Sequence, residues 1–95
     1  MLVEIQALPT PSGTPDNPHG HVEAAITVIQ ASGLNYEVGA LGTTLEGEPD
    51  EIWPLLRRIH EATLAAGAER EITLVKIAES TERPLTMEGL TRKFR

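Results

Sequence analysis

The 95-residue chain contains no cysteine. Disulfide bridges, thiol nucleophiles and thiolate metal sites are therefore excluded, and the absence agrees with a cytoplasmic location. Aromatic residues are also scarce, since Tyr36, Trp53 and Phe94 are the only three. The core must be built from Val, Ile, Leu and Ala, and a chain of this length is expected to form one domain over residues 1–95.

Long apolar runs are missing as well. No stretch approaches the ~20 apolar residues that a membrane-spanning helix needs. The N-terminal residues MLVEIQALP lack the basic region of a signal peptide and are typical of a strand. We therefore expect a cytoplasmic protein with no membrane partner.

Basic residues are outnumbered, with eight Lys and Arg against fourteen Asp and Glu and a net charge of −6. A nucleic acid would be repelled by such a surface unless a local basic patch compensated, and the two basic clusters, 57–58 and 92–95, are small. Nucleic acid is therefore disfavoured as a partner. A cationic or neutral small ligand suits the charge better.

The chain opens with a predicted strand and a long loop. Residues 2–8 alternate, with Val3 and Ile5 on one side and Glu4 on the other, as in a half-buried strand. Residues 9–20 hold four prolines and two glycines, which predicts an irregular connection. Connections of this length often carry function.

A first helix is predicted from Asp16 or Asn17, whose side chains suit the N-cap, with Pro18 in the first helical position. Gly33 is expected to end it in the left-handed conformation. The apolar residues that recur at helical spacing are Val22, Ala25, Ile26 and Ile29.

Two short strands, 34–40 and 41–46, follow around a pair of glycines. A second helix starts no earlier than Asp50 and ends at Gly67. Pro54 fits this helix only in its first turn, because a proline in a helix interior costs about 3 kcal/mol.

The C-terminal third contains a fourth strand at 71–77 and a tail over residues 80–95. The tail carries a one-turn helical pattern at 86–92, with Thr86 as its N-cap. The order strand, helix, strand, strand, helix, strand predicts an α+β fold of the ferredoxin-like βαββαβ type. We expect a four-stranded antiparallel sheet with both helices on one face.

The sheet face away from the helices mixes polar and large aliphatic side chains. Four aliphatic residues in water would be unusual for a monomer, so this face is expected to pack against a second copy. Carboxylates in such a seam would need a charged partner. The alternative is an ordinary solvent face with a weak cross-strand ion pair through Lys76. The face comprises Leu2, Glu4, Gln6, Leu8, Thr44, Glu46, Ile72, Leu74 and Lys76.

The sequence contains few residue patterns that indicate catalysis. His19 and His21 flank a glycine, but no spacing supplies a third metal ligand, so no metal site is expected. No serine lies in a nucleophile elbow, and no glycine-rich phosphate motif is present. We therefore expect a protein that is not an enzyme and needs no cofactor.

The segment SGLNYEVGALGTTLEGE, Ser32 to Glu48, resembles the small YkoF-like thiamine-binding proteins, which carry S-G-L-x-Y-E followed by G-T-x-(Ile/Leu)-E-G-E. Shorter matches are DEIW at 50–53, LVKI at 74–77 and TME at 86–88. The resemblance extends from Leu2 to about Glu88. The loop at 9–20 departs from it, because the family connection is usually shorter and poorer in proline.

The resemblance implies a ferredoxin-like subunit that assembles through its sheets into homodimers or homotetramers and binds thiamine or a related aminopyrimidine, without chemistry. The alternative is a sheet-mediated regulatory or protein-interaction domain with no small ligand. Glu46 would balance a thiazolium charge or accept from the 4-amino group, with Lys76 orienting it, and Tyr36 would stack on the pyrimidine. The expected ligand-binding residues are Tyr36, Gly42, Thr43, Thr44, Glu46 and Lys76, with Gln6 added from its place on the open sheet face.

Overall fold

The computed structural model describes residues 1–95 and confirms the ferredoxin-like α+β order. Three helices and four strands are present, followed by a 3₁₀ turn at Arg92–Phe94. The elements are β1 (Leu2–Thr10), α1 (Gly20–Ala31), β2 (Asn35–Val38), β3 (Thr43–Glu46), α2 (Pro49–Ala66), β4 (Arg70–Ala78) and α3 (Met87–Thr91).

The four strands form one antiparallel sheet in the order β2-β3-β1-β4. β1 pairs with β4 along its whole length, from Leu2 opposite Ala78 to Thr10 opposite Arg70. It pairs with β3 only as far as Ile5, which lies opposite Thr43. The second half of β1 therefore has a neighbouring strand on one side only.

The core lies between the sheet and the two long helices. Val3, Ile5 and Leu45 point from the sheet, and each is buried. They meet Ala25 and Ile29 of α1 and a row on α2 comprising Ile52, Leu55 and Ile59. Burying an aliphatic side chain of this size stabilises a fold by about 1.5–3 kcal/mol, so these eight residues hold the layers together.

Val75 and Ile77 of β4 share the helix-covered side, because Val75 lies opposite Ile5 and Ile77 opposite Val3. Both nevertheless remain 39% exposed. β4 is an edge strand, so the helices cover it only in part.

The predicted boundary between β1 and the loop was wrong. β1 continues through Pro9 and Thr10, so the irregular segment begins at Pro11. The predicted start of α1 was also wrong, because that helix begins at Gly20 and its N-cap, His19, makes no side-chain cap bond. Asn17 instead closes a turn in which its backbone N–H bonds the Thr14 oxygen at 3.1 Å.

The second helix begins at Pro49, one residue before the predicted limit, and Glu48 caps it through reciprocal bonds with Glu51. The prediction that Pro54 lies in the first turn was wrong, because it is the sixth helical residue. The predicted end at Gly67 is confirmed, with φ 126°. None of the helices combines the length and the apolar character that a membrane-spanning helix requires.

The short helix predicted in the tail, with Thr86 as its N-cap, is confirmed as α3. α3 is capped by the Thr86 hydroxyl, which accepts from the Gly89 N–H at 2.9 Å. A second acceptor comes from the sheet, because the Glu46 Oε2 atom accepts from the Met87 N–H at 2.8 Å. The tail therefore docks on the β2–β3 half of the open sheet face.

Candidate functional site

A cavity of about 260 Å³ lies where β1 lacks a strand neighbour. One wall is α1, through Val22 and Ile26, and the floor is β1 at Gln6 and Ala7. The remaining side is the β2–β3 loop, residues 39–42. The cavity thus sits at a notch in the sheet, on the helix-covered side.

The notch exists because the β2–β3 hairpin is short. Its four-residue loop is closed by a bond from the Gly39 N–H to the Gly42 oxygen at 2.8 Å. Gly42 also packs closely against β1, since a Cβ atom at that position would lie 3.2 Å from the Ile5 oxygen. Beyond Gly42 the chain turns away, and Leu41 at the loop tip is 85% exposed.

The lining of the cavity is apolar and carries no charged side chain. Ten of the fourteen lining residues are hydrophobic, and two of the others are glycines. The only residues with polar side chains among the fourteen are Gln6 and Thr43. Apolar walls with a few polar groups are typical of small-ligand sites, and this set suits a neutral ring better than an ion.

The structure brings three of the seven sequence-predicted site residues together, since Gln6, Gly42 and Thr43 all line the cavity. Thr43 is buried on the helix side, opposite Ile5. Alternation sets the Gln6 side chain on the open face, so it borders the notch from the other side. Gln6 therefore lies at the border of the cavity, with its side chain toward the open face.

The other four predicted residues lie elsewhere. Tyr36 is on the edge strand β2, opposite Leu45, and Thr44 and Glu46 are on the open face. The Glu46 carboxylate already accepts two bonds, from Asn35 Nδ2 at 2.6 Å and from the Met87 N–H. None of the four lines the cavity.

The pairing of Lys76 with Glu46 was wrong. Lys76 on β4 lies opposite Glu4 on β1, and β1 separates it from β3. Alternation had placed both residues on one face correctly, but only the strand order decides which of them are neighbours.

The sequence analysis did not include Glu4 among the ligand-binding residues, although its carboxylate lies close to the notch. A Cβ atom at Gly42 would lie 3.5 Å from Glu4 Cγ and 3.7 Å from its Cδ. The residue is exposed on the open face, beside the point where β3 begins. Its place on the same face as Gln6 was the signal available, but the proximity to Gly42 depends on strand register.

Two of the three histidines hold elements together in this structure, and the third, His19, is exposed. The buried His21 ring bonds through Nδ1 to the Pro11 oxygen at 2.7 Å. His60 Nδ1 lies 2.6 Å from the Thr73 hydroxyl, which itself donates to Glu71, and this chain ties α2 to β4. No group of three His, Cys, Asp or Glu side chains is arranged to hold a metal ion.

Comparison with known proteins gives one consistent result. Residues 3–95 match a family model described as thiamine-binding protein. A UPF0045 protein of Synechocystis is 32% identical over 88 residues, which is 93% of this chain and 73% of the relative. A UPF0045 protein of Clostridium perfringens is 32% identical over 74 residues, 78% of this chain and 77% of the relative.

Solved structures agree with the sequence matches. A DUF77 domain of unknown function from Bacillus cereus superposes with a TM-score of 0.88 at 35% identity, covering 99% of this chain and 88% of that one. A Thermotoga maritima protein with a candidate role in thiamine biosynthesis or salvage superposes with a TM-score of 0.84 at 28% identity, covering 99% and 97%.

Proposed function

The chain belongs to the thiamine-binding protein family, and from this premise we propose that it binds thiamine or a related aminopyrimidine in the notch cavity, without chemistry. Binding of this kind suits a carrier, a buffer or a sensor. The observation that carries the proposal is the cavity itself, which is lined by Gln6, Gly42 and Thr43 together with apolar side chains of α1.

Size and lining favour one small ring as the enclosed part of the ligand. The volume of about 260 Å³ is just below the ~300–1,000 Å³ of typical ligand pockets. The lining holds no Lys or Arg to meet a phosphate. The pyrimidine half of thiamine is neutral and flat, so it fits this lining better than a phosphorylated form would.

The thiazolium half would then lie toward the open face, where Glu4 stands beside Gly42. A cation near this carboxylate gains Coulomb energy that a neutral ligand does not. The net charge of −6 favours the same approach. This assigns to Glu4 the charge-balancing role that the sequence gave to Glu46.

The lining supports binding rather than catalysis. It contains no carboxylate, imidazole or amine that could act as a general acid or base, and Thr43 has no such base beside it. Turnover of the ligand is therefore not part of the proposal.

Assembly into a homodimer or homotetramer through the open sheet face is the second part of the proposal. Leu8, Ile72 and Leu74 are 41%, 49% and 53% exposed on adjoining strands. Ile72 lies directly opposite Leu8, so the three form one patch. Exposed apolar patches of this kind mark association sites. The same patch also supports the alternative of a protein-interaction domain without a small ligand.

Titration calorimetry with thiamine and with its free pyrimidine half tests the binding proposal. We expect saturable heat with both ligands. Val22→Phe places a larger side chain in the cavity and should abolish that heat, because the walls of a packed site cannot move apart without cost. Absence of heat from the parent chain at millimolar ligand would overturn the proposal.

A matched control lies on the same helix. Gln30 is exposed on α1 and does not line the cavity. Gln30→Phe should leave ligand binding unchanged, whereas equal loss in both variants would mean that the effect of Val22→Phe is not local.

A further inference from the structure

The backbone of β1 presents one unpaired amide group to the cavity, and the direction of its bonds follows from strand alternation. The N–H and C=O groups of one strand residue point to the same side, and successive residues point to opposite sides. The Met1 oxygen accepts from the Gly47 N–H at 3.1 Å, so the backbone N–H and C=O groups of the odd-numbered residues point toward β3. The Thr10 oxygen accepts from the Glu69 N–H at 2.8 Å, so the backbone groups of the even-numbered residues point toward β4.

The backbone N–H and C=O groups of Ala7 are therefore directed toward β3, but β3 does not extend far enough to pair with them. The register between these strands ends at Ile5 opposite Thr43. A continued strand would set Leu41 opposite Ala7, yet Leu41 is in the exposed loop. Neither backbone group of Ala7 has a bonding partner among the loop and turn contacts.

Pro9 is the next residue that points the same way, and it has no N–H to offer. This explains how a proline is accommodated inside a strand that pairs with β4 throughout. The Ala7 N–H is consequently the single free donor along this edge of β1, and the Ala7 oxygen lies beside it as an acceptor.

We propose that Ala7 binds one edge of an aminopyrimidine ring. Its backbone N–H donates to a ring nitrogen, and its C=O accepts from the adjacent amino group. The ring would thereby take the place of the missing β3 residue. The inference rests on the proposed function, because it concerns the same cavity, and it names the part of the ligand that the cavity recognises.

The surroundings of Ala7 favour such recognition. Val22 and Ile26 on α1 wall the cavity with hydrocarbon, so a hydrogen bond formed there is stronger than one in water. A ligand lacking the complementary group would leave a donor or acceptor unpaired in an apolar site. Discrimination should therefore depend on the amino group and the ring nitrogen, with the ring substituents contributing less.

Nuclear magnetic resonance of the ¹⁵N-labelled wild-type chain tests the inference, with 4-amino-5-hydroxymethyl-2-methylpyrimidine as the probe. We expect the Ala7 amide proton to shift downfield and its hydrogen exchange to slow about tenfold or more at saturation. The Gln6 amide is the internal control, because it points to β4 opposite Leu74 and should exchange slowly with or without the probe.

A ligand series supplies the second readout, by calorimetry. The pyrimidine without its 4-amino group should bind about tenfold or more weakly, because one of the two bonds to Ala7 is lost. An analogue with methyl in place of hydroxymethyl keeps the recognised edge and should bind within a few-fold of the probe.

The outcomes separate the two proposals. If the probe binds but the Ala7 amide neither shifts nor gains protection, or the analogue without the amino group binds equally well, the edge-on inference is overturned while the proposed function stands. If neither the probe nor thiamine gives heat, the proposed function itself fails.

Discussion

At the scale of single residues, we propose that Glu4, and not Glu46, is the carboxylate that meets a cationic ligand. Glu46 was a reasonable choice, since it lies on the open face in the segment that carries the family resemblance. Its two oxygens accept bonds from Asn35 and from the Met87 N–H, so it anchors the C-terminal tail. Glu4 lies beside Gly42 and has no such anchoring role.

Glu4→Gln should weaken the binding of thiamine by a few-fold, because an exposed ion pair contributes about 0.2–1 kcal/mol. The neutral pyrimidine half should bind the variant as it binds the parent. Calorimetry with both ligands at low ionic strength measures the difference, which salt would screen. If Glu46→Gln shows this selective loss and Glu4→Gln does not, the earlier assignment of Glu46 is the right one.

At the scale of elements, the C-terminal ends of the two long helices followed local chemistry. Gly33 and Gly67 both adopt positive φ, at 78° and 126°, and each ends its helix as predicted. Pro54 is the exception, because its missing N–H would have bonded the Asp50 oxygen within α2. The buried residues Ile52, Leu55 and Ile59 hold the helix in place around it.

Pro54→Ala should restore that bond and raise the free energy of unfolding by about 1–3 kcal/mol. Urea denaturation gives the change as a higher midpoint with an unaltered slope. Pro49→Ala is the matched control, because Pro49 occupies the first helical position, where proline is well accommodated and no gain is expected. An equal gain from both variants would contradict the argument.

At the scale of the whole molecule, the two faces of the sheet have different uses. The helix-covered face holds the core and the cavity, and the open face holds the patch of Leu8, Ile72 and Leu74. The C-terminal tail docks on the β2–β3 half of that open face, through Glu46. The β1–β4 half is not covered by the tail, and it is this half that we propose packs against a second copy.

Leu74→Glu should shift the chain from an assembly to its 10.3 kDa subunit in sedimentation velocity, because it puts a charge into the proposed interface. Leu64→Glu is the control, since Leu64 is 41% exposed on α2 and lies off this face. Parent chain that sediments as one subunit at micromolar concentration would contradict the assembly proposal.

The sequence by itself determined the order of the elements and the face to which each strand residue points. Those features depend on neighbours within a few residues, through alternation, helical spacing and capping. It also placed Gln6, Gly42 and Thr43 among the site residues, by face and by resemblance. Only the tertiary structure decided that β3 ends opposite Ile5, which opens the cavity and leaves Ala7 unpaired. The point at which two strands stop pairing depends on the packing of segments nearly forty residues apart, so no local sequence pattern predicts it.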